Sequence, residues 1–597
     1  MDLHNYTLWQ AVQATYNDRN LLNLAGGGMM ERPWLKQYPA GVASEVDTSA
    51  CPTLASLLED SFSRFPDRAA FVCMDQPLSY AELDRASRAL GAWLQARGLR
   101  PGERIAVMLP NLLQYPIAAA AILRIGCVVV NVNPLYSARE LQYQLQDCGA
   151  RAIVILENFA ATLERVLPET GVEHVVVASI GEMFKFPKDA LVNFLLRHVR
   201  KMVPHWHLPG HVKFNQAVVQ GGSMALSAPS IQPSDLAVLQ YTGGTTGPSK
   251  GAMLRHSALV AAVLSTDEWC KPAQERIKSE QYNVVCALPL YHCFAFVSCM
   301  LCSMRFGSCS FLIPNPRDLG ATIKALRGHK LHVFPGVNTL FNALLNHPEF
   351  SSLDFSELTV TTSGGMAAQS SVARRWLEAT GCPMAEAYGM SEFSCGATCN
   401  RLDLSEFTGT VGIPMPGVDA CVLGEDGVRL PPGEAGEVAL RGAQMMAGYW
   451  NKPEESALVM TADGWMRTGD IGAMDASGYL RILDRKKDLI NVSGFKVYPS
   501  EVEEVVSAHP GVLECAAIGV ADERSGEALV LYVVRKDSAL DEAALRDYCA
   551  DQLTAYKRPR EVVFSESLPK SNVGKILRRE LREERVQCCL SSIEANK

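Results

Sequence analysis

The chain has 597 residues, too many for one hydrophobic core, and that length fits about four units of ordinary domain size. Its 48% hydrophobic content is ordinary for a soluble globular protein, and a formal net charge of −8 leaves no dominant basic face for general nucleic-acid binding. The 18 cysteines follow no framework spacing and read as reduced thiols of a cytoplasmic protein.

Residues 1–29 are a polar leader ending near Gly26-Gly27-Gly28, and a domain-like sequence follows Met30. The leader is expected to lie outside the natural protein, with Met30 as the natural start, and it carries no predicted secretory signal. From about residue 53 to 360, short Val/Ile-rich runs at 104–109, 127–131, 152–156, 174–178, 283–288 and 310–313 alternate with helical patterns. That alternation predicts an α/β fold with two α/β subdomains and parallel-rich sheets. The near-apolar stretch 115–132 is interrupted by Arg124 and Gly126, so it predicts a buried helix and then a strand rather than a membrane span.

Residues 185–213 carry Lys185, Lys188, Arg197, Arg200, Lys201 and Lys213 against the acid Asp189. With 191–203 helical, Asn193, Arg197, Arg200 and Lys201 share one face, while Leu191, Leu195, Val199 and Met202 share another. Such a helix either lies in an anionic membrane surface or is a domain helix with a solvated face.

The strand pattern 236–240 feeds Tyr-Thr-Gly-Gly-Thr-Thr-Gly-Pro-Ser-Lys-Gly at 241–251. Its glycines permit close backbone approach, its threonines offer hydroxyl donors, and Lys250 adds a cation, as a polyphosphate cradle requires. A Gly/Thr surface turn also accounts for the loop alone. A P-loop does not, because Ser249 precedes the lysine and Gly251 follows it. Further on, His292 and Phe296 stand four apart in an apolar stretch, on one face if it is helical, either lining a pocket or as core residues. Cys299-Met300-Leu301-Cys302 lies in the same stretch, where core packing is expected over zinc binding with Cys309 and His292.

Beyond Pro414 the texture changes to Gly- and Pro-punctuated strands at 419–423, 437–441 and 479–483, predicting a β-barrel-like subdomain. After Lys487, strands 515–520 and 528–534 among helices 500–508 and 542–553 predict a small α+β domain of about 110 residues.

Five segments join the loop at 241–251. They are Leu288-Pro289-Leu290-Tyr291-His292, Thr362-Ser363-Gly364-Gly365-Met366, Ala387-Tyr388-Gly389-Met390-Ser391-Glu392, the run from Asp463 through Asp470 to Asp484-Arg485-Lys486-Lys487, and Pro569-Lys570-Ser571-Asn572-Val573-Gly574-Lys575. In this order they resemble the acyl-adenylate-forming (AMP-binding) superfamily, and within it the bacterial long-chain-fatty-acid CoA ligases. Trp34-Leu35-Lys36-Gln37-Tyr38-Pro39 is similar to that group too.

The resemblance implies ATP, Mg²⁺ and coenzyme A, a fatty acid as the activated acid, and an acyl-AMP intermediate. It implies an N-terminal domain over 30–486 and a mobile C-terminal domain over 487–597 that turns about a hinge at Lys487. Lys575 is then the catalytic lysine of adenylation. Thr242, Gly244, Thr245, Thr246, Gly247 and Lys250 cradle the phosphates, with Glu392 as the Mg²⁺ ligand and Ser391 keeping a hydroxyl beside it. Tyr388 and Gly389 meet the adenine, Asp470 and Arg485 the ribose, Gly364 and Gly365 the nucleotide and acyl chain, His292 and Phe296 the carboxylate end and gate of a fatty-acyl tunnel unless they are core residues, and Gly494 the pantetheine path.

Four positions depart from the superfamily pattern: Gly243 and Ser249 in the loop, Ser391 in place of the usual threonine, and Met474 where tryptophan is common. A ligase for medium-chain or aryl acids, an enzyme loading a carrier protein, and a silent nucleotide-binding protein are the alternatives. Peripheral contact with the inner face of an anionic membrane through 185–213 and a homodimer are the partner expectations, with no nucleic acid.

Overall fold

The computed structural model describes residues 31–242, 249–522, 524–571 and 574–585. The leader at 1–29 lies outside them, as do Gly244, Thr245, Thr246 and Gly247.

Two large sheets make the body of the molecule. The seven-stranded sheet runs in the order Val212–Lys213, His174–Ala178, Ala152–Leu156, Arg104–Met108, Val128–Asn131, Leu236–Thr242, Lys250–Arg255. Its pairs are parallel up to Leu236–Thr242, which turns back antiparallel into Lys250–Arg255. Runs such as Ala152-Ile153-Val154-Ile155-Leu156 are buried at every position, as strands covered on both faces must be. The nine-stranded sheet is parallel at its centre, through Cys309–Leu312, Asn283–Cys286, Val333–Gly336, Val360–Gly364 and Met384–Met390, and antiparallel at both edges.

The apolar stretch at 115–132 divides as its pattern predicts. Gln114–Arg124 is a helix buried at every position, and Val128–Asn131 follows as a central strand. Arg124, the charge inside that stretch, is buried but satisfied by Glu59 at 2.7 Å, by Asp84 and by the Ser87 hydroxyl at 2.6 Å. Helix starts obey local chemistry: Ser79 with Glu82 and Ser137 with Glu140 close capping boxes on Tyr80–Ala96 and Ala138–Cys148.

The β-rich part beyond Pro414 is a four-stranded antiparallel meander of Val418–Leu423, Ala435–Gly442, Met466–Met474 and Leu480–Arg485. Trp34, buried in the core, packs on it: a Cβ at Gly478 would come 2.6 Å from the Trp34 Cβ. The small C-terminal domain has its own five-stranded sheet and two apolar cores, one on each face, containing Val502, Leu531 and Leu545 or Ile518, Tyr532 and Leu581.

The basic segment departs from expectation in two ways. Its helix covers Lys188–Phe194, continues as a wider turn over Leu195–Val199, and stops short of 203. Lys201 adopts φ +50°, and Pro204 disfavours helix at the residue before it. Arg197 pairs with the buried Glu157 at 2.8 Å while its side chain stays 42% exposed, so its charge is partnered rather than free on the solvent face. Among the described residues every cysteine is free, no three His, Cys, Asp or Glu side chains are grouped to hold a metal ion, and no helix is long and apolar enough to cross a membrane.

Candidate functional site

The described ends of the 241–251 segment lie on two strands that pair antiparallel. Thr242 ends one strand and pairs with Lys250, which opens the next, and the Thr242 hydroxyl donates to the Lys250 carbonyl at 3.4 Å. A P-loop leads into a helix, whereas here Lys250 opens a strand. Lys250 forms an ion pair with Glu455, and its ammonium lies 5.2 Å from the centre of the Tyr449 ring.

Tyr388 and Glu392 come from the end of the strand Met384–Met390 and the tight turn Ser391–Phe393. A bulge separates Tyr388 from Gly389 in the pairing with Cys395–Cys399, and a Cβ on Gly389 would fall 1.7 Å from the Cys395 carbonyl oxygen. Only glycine fits there. The chain after Glu392 takes positive φ at Ser394 (+52°) and Cys395 (+114°), a concentration of unfavourable backbone that marks a turn held by its surroundings. The Glu392 carboxylate, buried in the turn, accepts the Tyr449 hydroxyl at 2.9 Å. Ser391 hydrogen-bonds the Cys293 thiol at 3.3 Å, and burial pushes that thiol up to about 11.

Asp470 and Arg485 are directly opposite one another in the meander, on Met466–Met474 and Leu480–Arg485. The register makes them a cross-strand ion pair, Arg485 Nε to Asp470 Oδ1 at 2.8 Å. Tyr388 reaches over from the nine-stranded sheet and donates its hydroxyl to Asp470 Oδ2 at 2.6 Å. Burial pushes the Asp470 carboxyl up, while Arg485 and the Tyr388 hydrogen bond pull the other way.

Lys575 enters from the C-terminal domain. Its loop is tied by Ser571, whose amide donates to the Lys575 carbonyl at 2.7 Å, and it docks where the Thr339 hydroxyl donates to the Gly574 carbonyl at 3.0 Å. Gly365, at φ +80°, faces the lysine: a Cβ there would stand 3.3 Å from Lys575 Cε. Burial and then the charge of Arg485 push the Lys575 ammonium below its ordinary range. His292 lies close enough that burial and the Lys575 charge hold its imidazole down at about 3, so it is neutral at working pH. A Cβ on Gly364 would stand 3.0 Å from the Phe294 ring and 3.2 Å from the Ala387 carbonyl.

The remaining predicted residues are spread around this cluster. Phe296 accepts the expected helical relation, its amide donating to the His292 carbonyl at 3.0 Å, but its ring is fully buried in the core, and Phe294 is the aromatic ring beside Gly364. Lys487 is exposed in the turn between the meander and the C-terminal sheet. Gly494, at φ +87° after Ser493 at +52°, makes the hairpin turn before Phe495 and has open space around it, so Lys575 and not Gly494 abuts Gly365.

The sequence model of AMP-binding enzymes matches residues 58–450, and that of the AMP-binding enzyme C-terminal domain matches 501–575. The chain belongs to the AMP-binding enzyme family. This AMP-binding enzyme is 46% identical over 556 residues to a long-chain-fatty-acid–CoA ligase of Escherichia coli O6:H1, across 93% of its own length and 98% of the relative's. Among solved structures, it resembles the anthranilate CoA ligase AuaEII in complex with anthranoyl-AMP, with TM-score 0.79 and 25% identity over 91% of this chain and 100% of that one. ATP-bound MatB from Rhodopseudomonas palustris gives 0.74 and 28% over 89% and 98%.

In this AMP-binding enzyme, several contacts escaped the sequence reading. Tyr449 on Glu392, Glu455 on Lys250 and Thr339 on Gly574 are partners of predicted residues that belong to no quoted motif. The segment Gly448-Tyr449-Trp450 followed by Glu454-Glu455 carried the available signal for the first two: aromatic and acidic side chains after a glycine, in a region otherwise read only for its strands.

Proposed function

We propose that the protein activates long-chain fatty acids to acyl-CoA in two steps at the Lys575–Gly365 junction. The observation that carries this reading is the meeting of Lys575 with Gly365 beside the Asp470–Arg485 pair, which sets a cation where two anions must be joined. A carboxylate oxygen attacks the α-phosphate of ATP, the bond to the β-phosphate breaks, and pyrophosphate leaves. Lys575 offsets the repulsion between the carboxylate and the phosphate as charge builds on them. The coenzyme A thiol then loses its proton and attacks the acyl carbon, and AMP leaves. The neutral His292 is positioned beside the lysine without adding a competing positive charge.

Asp470 accepts hydrogen bonds from the ribose, Arg485 donates to it, and the Tyr388 ring, next to Gly389 in the chain, stacks on the adenine. Gly364 borders the acyl chain in this reading, its missing Cβ leaving room for the Phe294 ring beside it. Thr242, Lys250 and the loop residues Gly244, Thr245, Thr246 and Gly247 hold the phosphates. Glu392 fits a magnesium ion that takes one protein carboxylate and completes its shell with phosphate oxygens and water, and its hard oxygen is of the right type. The ion would neutralise phosphate charge when bound. Residues 487–597 form the mobile domain, and turning at Lys487 withdraws Lys575 and brings Gly494 toward the thiol path.

Long-chain specificity follows the relative at 46% identity, whereas the aryl-acid ligase among the solved structures is at 25%. The test is coenzyme A-dependent AMP release with octanoate, laurate, palmitate, oleate and 4-coumarate. A maximum at laurate to oleate is expected, and a maximum at octanoate or 4-coumarate would replace the substrate assignment.

The segment 185–213 is the membrane face in this reading. Phe186, Leu191, Phe194, Val199 and Met202 are each more than half exposed, and Lys185, Arg200 and Lys201 are exposed beside them. Apolar side chains next to basic ones suit an anionic bilayer. Flotation with phosphatidylglycerol vesicles should be reduced several-fold in the Phe186→Ser, Val199→Ser double variant. Unchanged flotation would remove the idea.

A further inference from the structure

Tyr449 connects the loop lysine to the acidic turn, both through its backbone and through its side chain. The segment Ala447-Gly448-Tyr449-Trp450 runs against the strand Lys250–Arg255, with Tyr449 bridged to Ala252 and the Trp450 amide donating to the Gly251 carbonyl at 2.8 Å. One residue before that segment, the Met446 amide donates to the Glu392 carbonyl at 2.8 Å. The side chain repeats the link. Its hydroxyl donates to Glu392 Oε1 at 2.9 Å, and its ring lies 5.2 Å from the Lys250 ammonium, within the range of cation–π attraction.

Each half has a physical purpose. A lone carboxylate can rotate about its terminal torsion, which is broad. A fixed donor on one oxygen turns the other in a set direction. Lysine carries a point charge on a flexible stem, and the ring together with Glu455 limits where that charge rests. Tyr449 is itself fixed, being buried and held by the Ser456 hydroxyl oxygen, which accepts from its amide at 2.7 Å.

We propose that Tyr449 is a positioning residue that holds the Glu392 carboxylate in register with Lys250, so that metal ligand and phosphate-binding lysine meet the triphosphate as one unit. This rests on the reading of Glu392 as the magnesium ligand and Lys250 as a phosphate contact.

Tyr449→Phe tests it, because the ring and its packing stay while the hydroxyl goes. Binding of Mn²⁺ is followed by electron paramagnetic resonance with α,β-methylene-ATP and no fatty acid, beside the Mg²⁺ dependence of pyrophosphate release. Y449F should bind Mn²⁺ about tenfold more weakly, the size expected for a lost hydrogen bond to a charged group. Its KM for fatty acid and its thermal midpoint should stay near wild type. Wild-type Mn²⁺ affinity in Y449F, or a loss matched by equal losses in fatty-acid affinity and thermal midpoint, would overturn the positioning role. Glu392→Gln is measured alongside: weakened Mn²⁺ binding there with none in Y449F rejects Tyr449 alone, whereas wild-type binding in E392Q rejects the metal reading beneath it. Tyr449→Leu should add a severalfold rise in the dissociation constant of the nucleotide beyond Y449F, and equality of the two variants would reject the link to Lys250.

Discussion

Gly365 and Lys575 touch across the two parts of the enzyme, with the space for a Cβ at Gly365 ending 3.3 Å from Lys575 Cε. Gly365 also holds φ +80°, which costs a residue with a Cβ roughly 1–2 kcal/mol. Gly365→Ala is therefore expected to displace Lys575 and to slow fatty-acid-dependent pyrophosphate release by about tenfold, since small misplacements at a reacting centre are costly. Thioester formation from supplied acyl-adenylate should fall less. Equal loss in the two half-reactions would point to general damage.

Lys575→Ala is expected to lower adenylation by about 10²–10³-fold, the range for removing one group that stabilises developing charge, and to leave the thiolation of supplied acyl-adenylate largely intact. A pH profile gives an independent check. Burial and Arg485 lower the Lys575 pKa, so the ammonium is lost below the ordinary lysine range. Adenylation should decline with rising pH before that range is reached, and Lys575→Arg, whatever its rate, should lack this alkaline limb.

Asp470→Asn removes the charge that pairs with Arg485 and accepts from Tyr388. Loss of one hydrogen bond to a charged group is worth about 1.5–3 kcal/mol, so KM for ATP should rise about 10- to 100-fold with a smaller change for fatty acid. Tyr388→Phe keeps the stacking ring and should change KM for ATP by less than about fivefold. A larger effect in Y388F than in D470N would reverse the proposed division of roles.

Glu386 supplies a test of stability. It is buried on the strand that ends in the site, the Ala368 amide donates to it at 2.9 Å, and burial, with Glu504 adding to it, pushes its carboxyl up to about 8. In the unfolded chain the same group ionises near 4.5. Between those values the unfolded state has released the proton that the folded state keeps, so stability falls as pH rises, by about 1.4 kcal/mol per unit, and levels above pH 8. Glu386→Gln should flatten the thermal midpoint between pH 5 and 8 and raise it at the upper end. A parallel profile in wild type and variant would rule out this titration.

Much of the architecture was legible because it depends on neighbours in sequence. The strands at Ala152–Leu156 and His174–Ala178, the split of 115–132, and the strand feeding the 241–251 loop follow from runs of apolar residues and from turn chemistry. The stop at Val199 was less legible, since the apolar and basic periodicity continued past it while Lys201 and Pro204 ended the helix. The pairing of Arg197 with Glu157 was not legible, because Glu157 lies on another element.

The sequence by itself determined which chemical groups the protein carries and in what order: a cradle ending in Lys250, a carboxylate at Glu392, the Asp470 and Arg485 strands, and a late lysine at 575. Tertiary structure alone decided that Asp470 faces Arg485, that Tyr449 holds Glu392, and that Lys575 rather than Gly494 stands at Gly365. Local patterns encode helix, strand and turn, because those depend on residues a few positions apart. Strand register and the placement of the small domain depend on packing between distant segments, and no periodicity within one segment records it.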